Sequence, residues 1–167
     1  HHMVKSLLET APHVTTVFSC NGTTMIADRA ARRGAVEAQG FSLTYTSYFI
    51  AAASKALRVV PEINARWHAD ALEVFEEHHV GVATALDTPE GAGLILPVVR
   101  NVERLSLEAI ARELTVLTRK ARAGEIMPRE LQGATFSLSN HGVSGSLFAT
   151  PIIIPQPQVA ILDVGKM

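Results

Sequence analysis

Leu131-Gln132-Gly133-Ala134-Thr135-Phe136-Ser137-Leu138-Ser139-Asn140-His141-Gly142-Val143-Ser144-Gly145-Ser146 is the stretch from which the rest of the chain can be read. Ala134 to Ser139 reads as a strand, and Asn140 to Ser146 as a Gly/Ser turn that ends it. The plain role of Gly142 and Gly145 is to permit a tight turn. The turn also leaves the Ser139 hydroxyl beside the backbone amides of a glycine-rich strand end, a place suited to stabilising a developing oxyanion. Most serines at strand ends do no more than bond the local backbone, so residue type alone leaves both readings open.

Working outward, Gln158 to Val164 reads as a final strand. On the other side Leu107 to Ala123 is the clearest helix, with Leu107, Ile110, Leu114, Leu117 and Ala121 as an apolar stripe. Ser106 can cap its start and Gly124 its end. Further back, Leu94 to Val99 reads as a strand, preceded by a turn around Asp87-Thr88-Pro89-Glu90-Gly91. Leu72 to Phe75 and His79 to Leu86 read as a hairpin pair. Thr44 to Val60 is helical, with Tyr45, Phe49, Ala53, Ala56, Leu57 and Val60 on one face and Pro61 as its stop. Met25 to Gln39 is helical, and His13 to Cys20 is β-branched enough for a strand. Strands and helices mix without strict alternation, which predicts an α/β domain of two layers, helices against one mixed sheet.

The chain has 167 residues, 47% of them hydrophobic, enough for one compact domain with a real core. A net charge of -1 gives no basic surface for nucleic acid or anionic lipid. Charged residues interrupt every apolar run before it could span a bilayer. One cysteine, Cys20, excludes a disulfide framework, favours a reducing, cytoplasmic home and reads as a small buried apolar residue. His1, His2 and Met3 read as a purification-tag remnant, leaving residues 4–167 as the domain.

Three constellations invite chemistry. Ser139, His141 and Asp163 suggest a hydrolytic triad, but no G-x-S-x-G elbow is present. The plain alternative is a strand end, an Asn-His-Gly turn and a solvated aspartate. His68, His78 and His79 suggest a metal site. Adjacent residues on a strand face opposite ways, however, so His78 and His79 cannot share an ion, and no metal is expected. Neither dinucleotide nor nucleotide phosphate-loop spacing occurs.

Many segments in order resemble one family. Pro12-His13-Val14-Thr15-Thr16, Val60-Pro61-Glu62-Ile63-Asn64-Ala65-Arg66-Trp67, Val80-Gly81-Val82-Ala83 with Asp87-Thr88-Pro89, and Leu96-Pro97-Val98-Val99-Arg100-Asn101 follow in register. So do Ile110-Ala111-Arg112-Glu113-Leu114, the Leu131–Asn140 block, Thr150-Pro151-Ile152-Ile153 and Gln158-Val159-Ala160-Ile161-Leu162. Together they resemble the catalytic domain of 2-oxoacid dehydrogenase complex acyltransferases. The resemblance implies a fold similar to chloramphenicol acetyltransferase, a homotrimer within a larger core, and transfer of an acetyl, succinyl or branched-chain acyl group between dihydrolipoamide and CoA. It implies lipoyl domains and other dehydrogenase-complex subunits as partners, with CoA and the lipoyl group as substrates. A family histidine acts as general base on the attacking thiol, an aspartate in the same box supports it, and a Ser or Thr from the neighbouring subunit bonds the oxyanion. By motif position that hydroxyl is Ser139, while His141 and Asp163 fall at no functional position.

The departures are as informative. The family's His-x-x-x-Asp-Gly box belongs after Val164-Gly165-Lys166, and no histidine here is followed four residues later by Asp and then Gly. The expectation is a catalytic domain incomplete at its C-terminus and inactive alone, or, alternatively, an inactive scaffold subunit of the core. Gly145-Ser146-Leu147 followed by Thr150-Pro151 leans toward succinyl-transferring members. The stripe from Leu107 and the run Ile152-Ile153-Ile154 are expected to need apolar cover from partner chains or a further segment.

Overall fold

A computed structural model describes residues 13–88, 91–150 and 152–167. The tag remnant, Pro12, Pro89-Glu90 and Pro151 lie outside the described residues. Among the described residues three α-helices, α1 (Thr23–Glu37), α2 (Tyr45–Val59) and α3 (Leu107–Ala123), accompany eight strands. These are β1 (Ala65–Trp67), β2 (Leu72–Val74), β3 (Val80–Val82), β4 (Thr84–Thr88), β5 (Gly91–Ile95), β6 (Val98–Val99), β7 (Phe136–Asn140) and β8 (Ile161–Val164).

The main sheet runs β6-β3-β7-β8. The β3–β6 pair is antiparallel, and β3–β7 and β7–β8 are parallel, so the sheet is mixed as expected. Phe136 and Leu138 of β7, with Val80 and Val82 of β3, turn to one face. There they meet Ile50, Ala53 and Leu57 of α2 and Ile110, Leu114 and Leu117 of α3 in one buried cluster. That is the predicted two-layer sandwich. A second cluster of Val36, Phe41, Leu43 and Ala111 seats α1, which Arg32 also ties to Glu108 of α3 at 2.6 Å. By register the opposite face of the sheet carries Gly81, Ser137, Ser139 and Asp163 together with Val98 and Ile161. A Cβ on Gly81 would sit 3.1 Å from the Ala134 Cβ, so the second face is tightly packed there.

The helix α3 has its predicted bounds. The Ser106 hydroxyl accepts from the Ala109 amide at 3.2 Å, and Gly124 closes the helix in the left-handed region (φ 70°). Its stripe is buried within this chain, so the expectation that it needs an external neighbour is overturned: α2 and the sheet supply the cover. The buried face of α2 also differs from the predicted one. Ser47, Ile50, Ala53, Ser54 and Leu57 are buried, whereas Ala56 and Val60 are exposed. The rotation follows from polar pairing: Ser54 bonds His78 and Ser47 meets the Thr44 hydroxyl, so two serines that periodicity discounts occupy the core side.

Three strand expectations are corrected. β2 pairs with β1, not with the following strand. Buried Asn64 enforces this: its amide donates to the carbonyls of Phe75 and Glu77, and its own carbonyl accepts from the Phe75 amide. Leu94 to Val99 splits into β5 and β6 around Pro97, which has no N–H to give a ladder. His13 to Cys20 forms no strand, because no ladder among the described residues includes it. Cys20 is exposed, not buried, for the same reason. No helix among the described residues is long and apolar enough to cross a membrane. Trp67, Val59, Phe18 and Phe148 are all more than half exposed, so apolar surface does remain uncovered elsewhere.

Ile110→Ala, at 1% exposure in the larger cluster, should cost about 2–5 kcal/mol in urea unfolding. Val59→Ala, at 80% exposure, should shift stability by no more than about 0.5 kcal/mol. Equal losses would show that the α2–α3–sheet cluster is not the core.

Candidate functional site

Ser139 sits one residue before the end of β7, half-buried, with Asp163 of β8 as its register partner. Among the described residues its hydroxyl makes no hydrogen bond. The strand end is held from both sides. The Asn140 amide donates to the Thr46 hydroxyl at the start of α2 (3.1 Å), and its carbonyl oxygen accepts from the Gly142 amide (3.1 Å). His141 donates its backbone N–H to the Val164 carbonyl (3.1 Å). The glycines have tight roles: a Cβ on Gly142 would collide with the Gly165 carbonyl, and Gly145 lies in the left-handed region (φ 83°).

His141 and Asp163 are brought together. His141 Nε2 and Asp163 Oδ2 form a short hydrogen bond, with side chains 20% and 15% exposed. The reading of Asp163 as a solvated carboxylate is therefore corrected. Ser139 is not joined to His141 by any hydrogen bond among the described residues, so the geometry stops at a His–Asp pair. His141 Nδ1 and Asp163 Oδ1 are buried without partners. The pair was not readable from spacing, since it depends on the parallel register that sets residue 163 opposite residue 139.

The other histidines are structural. His78 Nδ1 bonds the Ser54 hydroxyl at 2.7 Å, His79 Nδ1 accepts from the Asn101 amide at 3.1 Å, and His68 meets Glu73 at 2.9 Å on the surface. No cluster of three or more metal-ligating side chains occurs among the described residues. Burial pushes the His78 ring below the ordinary histidine value; Glu103 opposes this, and Arg58 and His79 add to it.

Two larger cavities lie near the strand end, beside a third of about 200 Å³ lined by Asn140, Gly142 and Val164. One of about 350 Å³ lies between β8 and the Val14–Phe18 segment, with Asp163 on its wall. The other, about 580 Å³, is lined by Asn140, Thr44, Thr46, Thr118, Arg119 and Arg122 among others. Ser139 itself lines neither, so the structure brings its neighbours, not its hydroxyl, to these openings.

Comparison with known proteins gives this geometry a context. The family described as 2-oxoacid dehydrogenases acyltransferase (catalytic domain) matches residues 1–167. The dihydrolipoyllysine-residue acetyltransferase component of the pyruvate dehydrogenase complex from Bacillus subtilis is 36% identical over 158 residues, covering 95% of this chain and 35% of that protein. The chain thus spans about a third of the length of the curated relatives it matches. A probable dihydrolipoamide acetyltransferase from Listeria monocytogenes superposes with a TM-score of 0.92 at 32% identity, over 99% of this chain and 68% of that one. The Azotobacter vinelandii dihydrolipoamide acetyltransferase gives 0.90 at 33% identity, over 99% and 66%. In that protein the roles of a serine, a histidine and an asparagine in the catalytic mechanism have been investigated.

Removing one member of the His141–Asp163 pair leaves the other buried without its partner. His141→Ala and Asp163→Ala should each cost about 1–3 kcal/mol. The double variant should cost less than their sum by about 1 kcal/mol or more. Strict additivity would show that the two side chains are not paired in solution. For His78, the folded pKa lies below the unfolded one, so above about 6.5 both states are neutral and the ring adds no pH dependence. As pH falls below that, the unfolded state takes up the proton first and stability drops. Urea midpoints measured at pH 7.5 and 5.5 should fall more for the native chain than for His78→Asn, and an equal fall would assign the pH dependence elsewhere.

Proposed function

We propose that this chain, which belongs to the 2-oxoacid dehydrogenases acyltransferase (catalytic domain) family, supplies the oxyanion-stabilising part of a dihydrolipoamide acyltransferase site. The observation that carries the reading is Ser139: a half-buried hydroxyl with no hydrogen bond among the described residues, at the end of a core strand pinned on both sides. A donor held in this way costs no reorganisation when charge develops.

The reaction moves an acyl group, acetyl by analogy with the relatives, between dihydrolipoamide and CoA. A thiol loses its proton to a base, and its sulfur attacks the thioester carbonyl carbon. The carbonyl electron pair moves onto oxygen, where Ser139 donates its O–H. Collapse of the intermediate re-forms C=O and expels the other thiolate. The base is the histidine of a His-x-x-x-Asp-Gly box, a motif that does not occur among these 167 residues, so the site as proposed takes its base from outside them. The groove beside Asn140 supports a phosphate-bearing carrier such as CoA: hydroxyls line it, and Arg119 and Arg122 add positive charge. A cytoplasmic homotrimer within a dehydrogenase-complex core, served by lipoyl domains, fits the exposed apolar side chains.

A second reading is a scaffold subunit of that core without activity, supported by the Ser139 hydroxyl lining neither of the two larger cavities near the strand end. Activity of the assembled full-length protein separates the two. In that protein Ser139→Ala should lower kcat by roughly a hundredfold or more with KM little changed. His141→Ala should retain acyl transfer near the native level once corrected for folded fraction. Full activity of Ser139→Ala removes the hydroxyl from the site. A loss of several orders of magnitude in His141→Ala moves the chemistry to a Ser-His-Asp arrangement.

A further inference from the structure

We propose that the open edge of β2 is a docking site for an extended segment of a partner chain in which a lysine or arginine stands between two apolar residues. β2 pairs only with β1, in a two-stranded sheet separate from the one that carries Ser139. The Phe75 amide donates to the Asn64 carbonyl (2.9 Å), and the His68 amide donates to the Ala71 carbonyl (2.8 Å). Bonded pairs alternate along an antiparallel ladder, so the bonded pair between these two is Arg66–Glu73. Leu72 and Val74 therefore turn their N–H and C=O groups away from β1, and no hydrogen bond among the described residues uses them. Such a row of backbone groups is a template for one more strand.

Each face of this hairpin sets what the added strand carries. By register Trp67 lies opposite Leu72 and Ala65 opposite Val74, so these four share one face. Ala65 is buried, but Trp67, Leu72 and Val74 are 67%, 37% and 44% exposed. Apolar side chains on the segment extend the cover toward Trp67, a residue type that often dominates binding energy at interfaces. The other face holds Arg66, His68, Glu73 and Phe75. There Arg66 lies over the Phe75 ring at 5.5 Å, and Glu73 meets His68 at 2.9 Å. The surrounding charge is mostly acidic: between residues 59 and 77, Glu62, Asp70, Glu73, Glu76 and Glu77 are all exposed, against one arginine and one histidine. A basic side chain opposite Glu73, flanked by apolar ones opposite Leu72 and Val74, matches both faces at once. Main-chain bonds to Leu72 and Val74 supply affinity, and the side chains supply selectivity.

Charge decides against a second copy of this chain as the occupant. The two-fold pairing that uses both outward-turned residues sets Leu72 of each copy against Val74 of the other, and Glu73 against Glu73. Like charges directly opposite each other across a ladder are destabilising. The acidic residues around them bring negative charge to both sides of that junction. A segment with lysine or arginine at the central position replaces this repulsion by attraction.

Trp67 is the only tryptophan of the chain, so its fluorescence reports on this face. The probe is the synthetic peptide acetyl-Val-Lys-Val-Lys-Val-Lys-Val-amide, with the glutamate peptide of the same pattern as its counterpart. Titration of the 167-residue chain with the lysine peptide should shift Trp67 emission to the blue, and amide exchange at Leu72 and Val74 should slow at least tenfold. The glutamate peptide should bind at least tenfold more weakly. Glu73→Lys changes an exposed side chain whose ion pairs contribute little to stability, so the unfolding midpoint should hold while the advantage of the lysine peptide falls at least tenfold. Val74→Pro removes one outward N–H and no ladder bond, and it should weaken the lysine peptide by a similar factor. Four outcomes overturn the proposal: no emission shift at millimolar lysine peptide, equal binding of the two peptides by the native chain, a shift without protection of Leu72 and Val74, or self-association of the chain alone that buries Trp67.

Discussion

The parallel pairing of β7 with β8, with Ser139 opposite Asp163, is the constraint from which most of the other features follow. It turns Leu138 toward the helices and leaves Ser139 on the sparse face. It also sets the end of β7 against β8, so that His141 reaches Asp163 with its ring and Val164 with its backbone. A one-residue slip would send every side chain of β8 to the opposite face and bury Asp163 against the aliphatic cluster. The tight crossings beyond the strands, where Gly142 meets Gly165 and Gly165 meets the Leu147 carbonyl, hold that register because neither position has room for a side chain.

The two faces of this sheet do different work. The helix-covered face is built from branched aliphatic groups and supplies the stability of the domain. The other face mixes Val98 and Ile161 with glycine, serines and an acid, and polar atoms on or beside it are left unpaired: Ser137 Oγ, His141 Nδ1 and Asp163 Oδ1. A folded core seldom tolerates such a concentration of unsatisfied groups, and functional surfaces are where it is usually found. They cluster beside Ser139, away from the packing that holds the strand in place.

The two-layer architecture, the capped helix α3, the helical run of α2 and the position of Ser139 were legible in the sequence, because each depends on local signals. Ser106 and Gly124 announce helix ends through caps that act within a few residues, and the Leu-Ser-Asn-His-Gly run announces a strand and its turn. Most of the misses involve partners distant in sequence; the break of Leu94–Val99 at Pro97 is the local exception. Periodicity could not show that Ser54 faces His78 across 24 positions and so turns α2. Nor could it show that Asn64 recruits β2 to β1 through the carbonyls of Phe75 and Glu77. The segment from His13 to Cys20 has the composition of a strand, but composition does not supply a neighbour. The His141–Asp163 contact could be suspected from residue type but established only from register.

The open edge of β8 also bears on how such a protein survives before its surroundings are complete. A short run of unpaired backbone beside Leu147, Phe148 and Val17 is a template on which any extended chain can add, not only the correct one. Newly made copies are then exposed to a race between orderly completion and self-templated stacking, decided by concentration and by the speed with which the edge is covered. The only charged side chain on β8 is Asp163, and its bond to His141 turns that charge inward, so it offers little electrostatic protection to the rim. Quality-control factors that recognise extended apolar backbone would have a target in this rim, and the half-life of the protein in a cell would depend in part on how long it stays bare.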